Sequence, residues 1–353
     1  MAKMLIFLSC MLFGRAAADG ATCEGGAVCD ETPAWAQEEE PLQGLEMLQM
    51  RSKKAETSGE AQAESQDVIE NPECKLPEGA RWCEARSGEM AWTMAVYSEK
   101  EDEVLSKEIC ANGYWQFEEP KSLGIKEDDG SAAELTQLVL LDVGAHVGWY
   151  SFMFAAHGHK AIAVEPMTAN RALMNATLCM NPDLASKVTV LSTALARDVS
   201  PGRKCGIFSS ESNAGDGVMA CSSEEIKAIS ARAQAGVMER EEVELTTLDD
   251  LIESNPDVFG DRIDVVKENA KFQECNVLAG SNRFLTNFKP KYMMIEASVT
   301  GDDILGNTFD CVAERANPRG TYNMHIDNFN GPTYTREQAH SWLQNTVNVY
   351  FSQ

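Results

Sequence analysis

Positive charge is scarce in this sequence: 30 Lys and Arg stand against 55 Asp and Glu, a formal charge of −25 over 353 residues. Such a chain repels phosphate backbones, and no Lys/Arg cluster is large enough to form a local basic patch, so nucleic acid is not an expected partner. The sequence has neither a CxxC pair nor a His-rich tract, and no metal site is expected. It also lacks the dinucleotide fingerprint GxGxxG, which counts against an NAD-dependent dehydrogenase. Long apolar runs are missing, so no stable membrane span is expected once the N-terminal segment is removed. Apolar residues nonetheless make up 44% of the chain, enough for a sizeable core.

That N-terminal segment opens Met-Ala-Lys, continues with an apolar run from Met4 to Gly14, and reaches Arg15-Ala16-Ala17-Ala18-Asp19. A short positive start, a run too short to span a bilayer and small residues before an acid fit a secretory signal peptide over residues 1–18. An uncleaved anchor or a buried helix is the alternative. Without it Cys10 is lost and ten cysteines remain, an even number that suits an oxidising compartment. The expected location is therefore the secretory pathway, an organelle lumen or the exterior. Cys23/Cys29 and Cys74/Cys83 are close enough to bridge locally, although sequence alone does not fix pairing.

Between Asp19 and Glu70 thirteen acidic residues face three basic ones. Such a stretch buries too little apolar surface to offset its ordering entropy, so residues 19–80 are expected to be mostly disordered, with a short helix near Leu42 to Met50. Residues 81–353 read as one domain. Thr136 to Asp142, Ala161 to Val164, Val188 to Ser192, Ile263 to Val266 and Tyr292 to Glu296 read as buried strands. Trp149 to Ala156, Thr168 to Met180, Leu248 to Glu253 and Val277 to Phe288 read as helices. The alternation predicts an α/β fold with a doubly wound, mostly parallel sheet. Tyr322 to Ile326 and Val347 to Phe351 would add antiparallel edge strands, and Pro201 to Arg240 reads as an insertion or hairpin excursion with a helix near Ser223 to Arg232.

The strongest chemical signal is Leu-Leu-Asp142-Val-Gly144-Ala145-His146-Val-Gly148. A buried strand ends in an acid, and a glycine turn then enters a helix. Gly144 lets backbone approach a ligand, and Gly148 permits tight packing of helix on strand. A GxxxG spacing with an acid two residues upstream favours S-adenosylmethionine over NAD, with Asp142 facing the cofactor's ammonium. Glu165, ending the second strand, is placed to accept both ribose hydroxyls. Thr193, after the third, would lie along the adenine edge. His146 reads as a turn residue tolerant of positive φ rather than a catalytic group. Asp249-Asp250 reads as a cap for the helix it begins. Asn175-Ala-Thr177 is a glycosylation sequon on an expected helix, with use and chance both open.

These residues resemble the FkbM-type methyltransferases. The likeness rests on Asp-Val-Gly-Ala-x-x-Gly-Trp-Tyr-Ser from Asp142, Val164-Glu165-Pro166-Met, Thr247-Leu248-Asp249-Asp250-Leu251, Lys267 with Val277-Leu278-Ala279-Gly280, and Met-Ile-Glu296. It implies a Rossmann-like fold and methyl transfer from S-adenosylmethionine to an oxygen of a sugar or other small metabolite. A small-molecule or glycan acceptor is therefore expected, with Lys267, Asn269 and Glu296 as catalytic candidates. A cofactor made in the cytosol would have to be imported into any lumen that holds this chain. One departure stands out. Where the family usually has Ile-Asp-Val-Glu-Gly after the lysine, this chain has Glu268-Asn269-Ala270-Lys271-Phe272. An amide cannot serve as a base, which sets a second expectation beside the first: a degenerate methyltransferase fold that binds cofactor or a partner without turnover.

Overall fold

A computed structural model describes residues 74–125, 137–197, 203–232, 236–298, 308–343 and 346–353. The expected signal peptide, residues 19–73 of the acidic segment, the short helix at Leu42 to Met50 and the Cys23/Cys29 pair lie outside these residues, whereas residues 74–80 of that segment are described, Cys74 bridging to Cys179 and Ala80 opening a strand.

The described chain opens with a hairpin of β1 (Ala80–Ser87) and β2 (Met90–Tyr97), turned at Gly88 with φ 59°, followed by α1 (Leu105–Asn112). The alternating units come next: β3 (Val139–Val143), α2 (Trp149–Ala156), β4 (Lys160–Val164), α3 (Thr168–Met180), α4 (Pro182–Ala185) and β5 (Val188–Leu191). An inserted sheet is built from β6 (Ala194–Leu195), β7 (Lys204–Ser210), β8 (Asn213–Ala220) and β9 (Val237–Thr246), with α5 (Ser223–Arg232) between the last two. The core then resumes with α6 (Leu248–Ser254), α7 (Pro256–Phe259), β10 (Val265–Glu268), α8 (Glu274–Ala279), α9 (Asn282–Asn287), β11 (Tyr292–Ser298), α10 (Phe309–Ala316), β12 (Asn323–His325), α11 (Arg336–Trp342) and β13 (Thr346–Ser352).

The main sheet has seven strands in the order β12-β13-β11-β10-β3-β4-β5. Its five central and β5-side strands pair in parallel, whereas β13 pairs antiparallel with both β11 and β12. The fold is therefore α/β with a mostly parallel, doubly wound sheet and antiparallel strands at its C-terminal edge. Strand alternation sorts side chains onto two faces. Leu140, Val265 and Met294 pack against α2, α3 and the β1–β2 hairpin, and Leu141, Val266 and Ile295 against α6 to α10. The chain runs outward from β3 to β5 on one side and from β10 to β11 on the other. The strand order thus reverses between β3 and β10, where open α/β sheets form their ligand crevice.

Two expectations need correction. The single helix at Val277 to Phe288 is two helices, because Gly280 presses so closely on the Ala196 carbonyl that a Cβ there would collide with it. Cys74 and Cys83 do not bridge each other. The eight described cysteines pair as Cys74–Cys179, Cys83–Cys110, Cys205–Cys221 and Cys275–Cys311. The first staples the start of the described chain to the end of α3, and the second joins β1 to α1. No helix among the described residues is long and apolar enough to cross a membrane.

Candidate cofactor and acceptor site

A concavity opens where the strand order reverses, at the carboxyl ends of β3, β4 and β10. Its floor is the β3–α2 loop. Gly144 has φ 69°, and a Cβ there would collide with the Asn269 carbonyl, so only glycine lets β10's exit pass this close. Gly144 and Ala145 both donate their N–H to the Val164 carbonyl (2.9 and 3.2 Å), and Gly148 enters α2 at φ 91°. His146 has φ 56°, the turn geometry expected of it. Burial lowers its imidazole pKa, which keeps the ring neutral.

Beneath this loop lies a buried ion pair. Asp142 and Lys267 are register partners on neighbouring parallel strands, so their side chains share a face. Lys267 Nζ sits 3.1 Å from Asp142 Oδ1 and donates to the Gly144 carbonyl at 2.6 Å, while Ser151 Oγ donates to Asp142 Oδ2 at 2.8 Å. Asp142 is fully buried and does not line the cavity, whereas Lys267 does. The ammonium that Asp142 meets is thus Lys267's, which corrects the expectation that it would face a ligand.

Over β4 and β5 the wall is formed by Glu165, Met167, Thr193 and Leu195, closed from the inserted sheet by Ile207 and Met219. The Glu165 carboxylate accepts from the N–H of His146 (2.8 Å), the N–H of Met167 (2.9 Å) and Asn170 Nδ2 (3.1 Å). Two carboxylate oxygens offer about four acceptor positions. With three filled, about one position is left for a further donor. Burial pushes the Glu165 pKa up to about 7, against the lowering effect of those hydrogen bonds.

Over β10 and β11 the wall becomes polar. Asn269 Nδ2 donates to Glu296 Oε2 at 3.0 Å. Lys271 reaches Glu296 at 3.4 Å and Asp216 of β8 at 3.2 Å, joining the inserted sheet to the core. Burial alone would lower the Lys271 pKa, but Asp216 and Glu296 hold its ammonium well above the ordinary range. Lys271 and Phe272 have φ 45° and 71°, two left-handed residues in succession. The loop is held there by Glu274, which accepts from the N–H groups of Ala270 (3.1 Å) and Phe272 (3.2 Å). Tyr150 donates to Gln116 Oε1 at 2.7 Å, and with Trp115 both line the same cavity. Glu268 points to the opposite face of the sheet from Lys267 and is buried, and desolvation pushes its pKa well above the usual carboxylate range, with Glu274 nearby adding to the effect.

Three buried atoms of cavity-lining residues have no hydrogen-bond partner among the described residues: Asn269 Oδ1, His146 Nδ1 and Trp149 Nε1. Orphaned buried polar atoms in a cavity mark positions that a ligand satisfies.

Residues 142–316 match the methyltransferase FkbM domain. This stretch is a FkbM methyltransferase domain. No curated protein matches the chain. Among solved structures, similar chains include a precorrin-6y C5,15-methyltransferase from Geobacter metallireducens GS-15, at 12% identity over 62% of this chain and 80% of that one, TM-score 0.31. The bifunctional kinase-methyltransferase WbdD matches at 11% identity over 62% of this chain and 35% of its own, TM-score 0.29. The METTL16 MTase domain matches at 10% identity over 66% and 63%, TM-score 0.35.

Of the residues singled out from sequence, Gly144, Ala145, Glu165, Thr193, Lys267, Asn269 and Glu296 line one cavity of the FkbM domain, whereas Asp142 and Gly148 lie behind its wall. Asp216 was not foreseen, because nothing in Asn213-Ala-Gly-Asp-Gly shows that an inserted hairpin folds back onto β10. Asp249-Asp250 takes a different part from the one expected: Thr247 Oγ1 caps α6, and the Asp249 carboxylate caps α9, accepting from the N–H groups of Arg283 (2.9 Å) and Phe284 (2.8 Å).

Proposed function

We propose that the chain is an S-adenosylmethionine-dependent O-methyltransferase of the secretory pathway, acting on a small-molecule or sugar hydroxyl. The observation that carries this reading is the joining, in one cavity at the strand reversal, of a lysine-clamped glycine loop, a buried glutamate and a polar pocket around Glu296. The residues present fit the cofactor. Glu165 has one acceptor position left for a ribose hydroxyl, Thr193 and Leu195 offer an apolar edge to adenine, and Asn269 Oδ1 is a free acceptor for an ammonium. When bound, S-adenosylmethionine supplies a methyl group already activated by its positive sulfur, so proximity and alignment do most of the work.

Within that frame the three catalytic candidates divide. Glu296 keeps unfilled acceptor positions on a carboxylate that faces the cavity, and takes the proton of the acceptor hydroxyl. Asn269 and Lys267 are positioning residues, the first orienting Glu296 and the second fixing the glycine loop. Trp115 and Tyr150 offer apolar faces, and Gln116 and Asn348 hydrogen-bonding groups, to a hydroxyl-rich acceptor.

The test is a titration with S-adenosylhomocysteine followed by transfer of labelled methyl groups to a panel of sugars and small hydroxyl compounds. Glu296→Gln is expected to reduce turnover and leave cofactor affinity unchanged; absence of cofactor binding in the wild-type protein would overturn the reading. One observation favours a second reading, a domain that holds cofactor without turnover: Lys271 occupies the acceptor end with its ammonium bound by both Asp216 and Glu296. Cofactor binding with no transfer across the panel would select that alternative.

A further inference from the structure

We infer that Asn175 is a modification site, the attachment point of one N-linked glycan. The inference rests on the secretory reading above and on four observations. Asn175-Ala176-Thr177 is the sole N-x-S/T triplet in the sequence. Asn175 is exposed on α3, and its side chain makes no hydrogen bond to any described residue, so nothing in the fold competes for its amide. The helix face turned the other way, Leu173, Met174, Ala176 and Thr177, is the buried one. All eight described cysteines are in disulfides, as expected of a chain folded where lipid-linked oligosaccharides are also found.

The position also spares the cavity. α3 begins at Thr168, just past the cavity-lining Met167, and Asn175 lies seven residues further along, about 10 Å down the helix. A glycan there projects from the helix flank and leaves the mouth open.

The fold fixes when the sugar must arrive. Thr177 is fully buried, and its hydroxyl accepts the Ala95 N–H at 2.9 Å. That hydroxyl is part of what the transferring enzyme reads, so it is out of reach once α3 has docked on β2. Cys179, two residues further on, is then locked to Cys74. Transfer therefore precedes docking. In the step itself the Asn175 amide nitrogen attacks the anomeric carbon of a lipid-pyrophosphate-linked oligosaccharide. A carbon–nitrogen bond forms, the carbon–oxygen bond to pyrophosphate breaks, the lipid pyrophosphate leaves and the amide gives up one proton.

The experiment is expression of the full chain in cultured animal cells, with peptide mass mapping before and after enzymatic removal of N-glycans. The expected result is a glycan-sized mass on the peptide holding Asn175, conversion of that residue to Asp on deglycosylation, and loss of the gel shift in Asn175→Gln. Because Asn175 is exposed and unbonded, that variant should fold and retain S-adenosylhomocysteine affinity. An unmodified Asn175 in protein whose Cys74–Cys179 bridge has formed would overturn the glycan and leave the secretory reading standing. Free thiols at Cys74 and Cys179 with Asn175 unmodified would overturn both.

Discussion

Glu165→Gln is the most direct test of the cofactor end of the cavity. Three chain donors converge on the Glu165 carboxylate, and one acceptor position is left. A glutamine offers one oxygen and one NH2, so its nitrogen must face at least one backbone N–H. A hydrogen bond to a charged acceptor is worth about 1.5–3 kcal/mol, which corresponds to roughly ten- to hundredfold in dissociation constant. The pH dependence sharpens the test. The pKa of Glu165 is raised to about 7 by burial, and only the ionised carboxylate keeps both oxygens as acceptors. If cofactor selects that form, affinity should rise with pH and level off above the midpoint. It would be about tenfold weaker at pH 6 than at pH 8. Calorimetric titration of S-adenosylhomocysteine over that range measures both effects, with circular dichroism to check that the variant folds. Unchanged affinity in Glu165→Gln, or the same pH profile in variant and wild type, would remove Glu165 from the site.

Four further outcomes follow from the geometry. Lys267→Met leaves Asp142 charged and fully buried and should cost about 3–5 kcal/mol in urea denaturation, with much of it recovered when Asp142→Leu is added; equal losses in single and double variants would deny the pairing. Asn269→Asp puts a second carboxylate beside Glu296, and both cannot ionise at contact distance, so its melting temperature should fall at neutral pH and recover on acidification. Glu274, fully buried, has its pKa pushed up to about 7, mainly by desolvation. The folded state then holds a proton that the unfolded chain releases from about pH 4.5, and stability is lost as pH rises through that window, by about 3 kcal/mol at most; Glu274→Gln should flatten that slope, and a parallel profile would refute the assignment. Reduction of the disulfides should destabilise most through Cys74–Cys179, whose 105-residue separation corresponds to about 4–5 kcal/mol of chain entropy, measured as Cys74→Ser against Cys83→Ser.

Much of the core was legible in the sequence because its signals are local. Trp149–Ala156 and Thr168–Met180 fall where the apolar spacing puts them, and the parallel strands read as short apolar runs bounded by turns. The β1–β2 hairpin was missed although Ser87-Gly88-Glu89 between two half-buried runs carries its turn signal. The cavity was half legible. Gly144 and Glu165 directly follow strands and Glu296 lies near the end of one, and strand ends gather wherever the order reverses. Asp142 was misjudged for a reason that sequence spacing hides: its neighbour across the sheet is 125 residues later, and only the register of β3 on β10 reveals that a lysine already satisfies it. Disulfide pairing was illegible on the same ground, since three-dimensional proximity rather than spacing decides it.

The pair between Lys271 and Asp216 ties a loop of the parallel core to a hairpin inserted into it. The wall over β4 and β5 also takes Ile207 and Met219 from that inserted sheet, so the insertion contributes to both ends of the cavity. Exchanging residues 204–220 for another hairpin would therefore disturb both ends at once, whereas Asp216→Asn should act on the polar end alone and is the narrower handle for redesign.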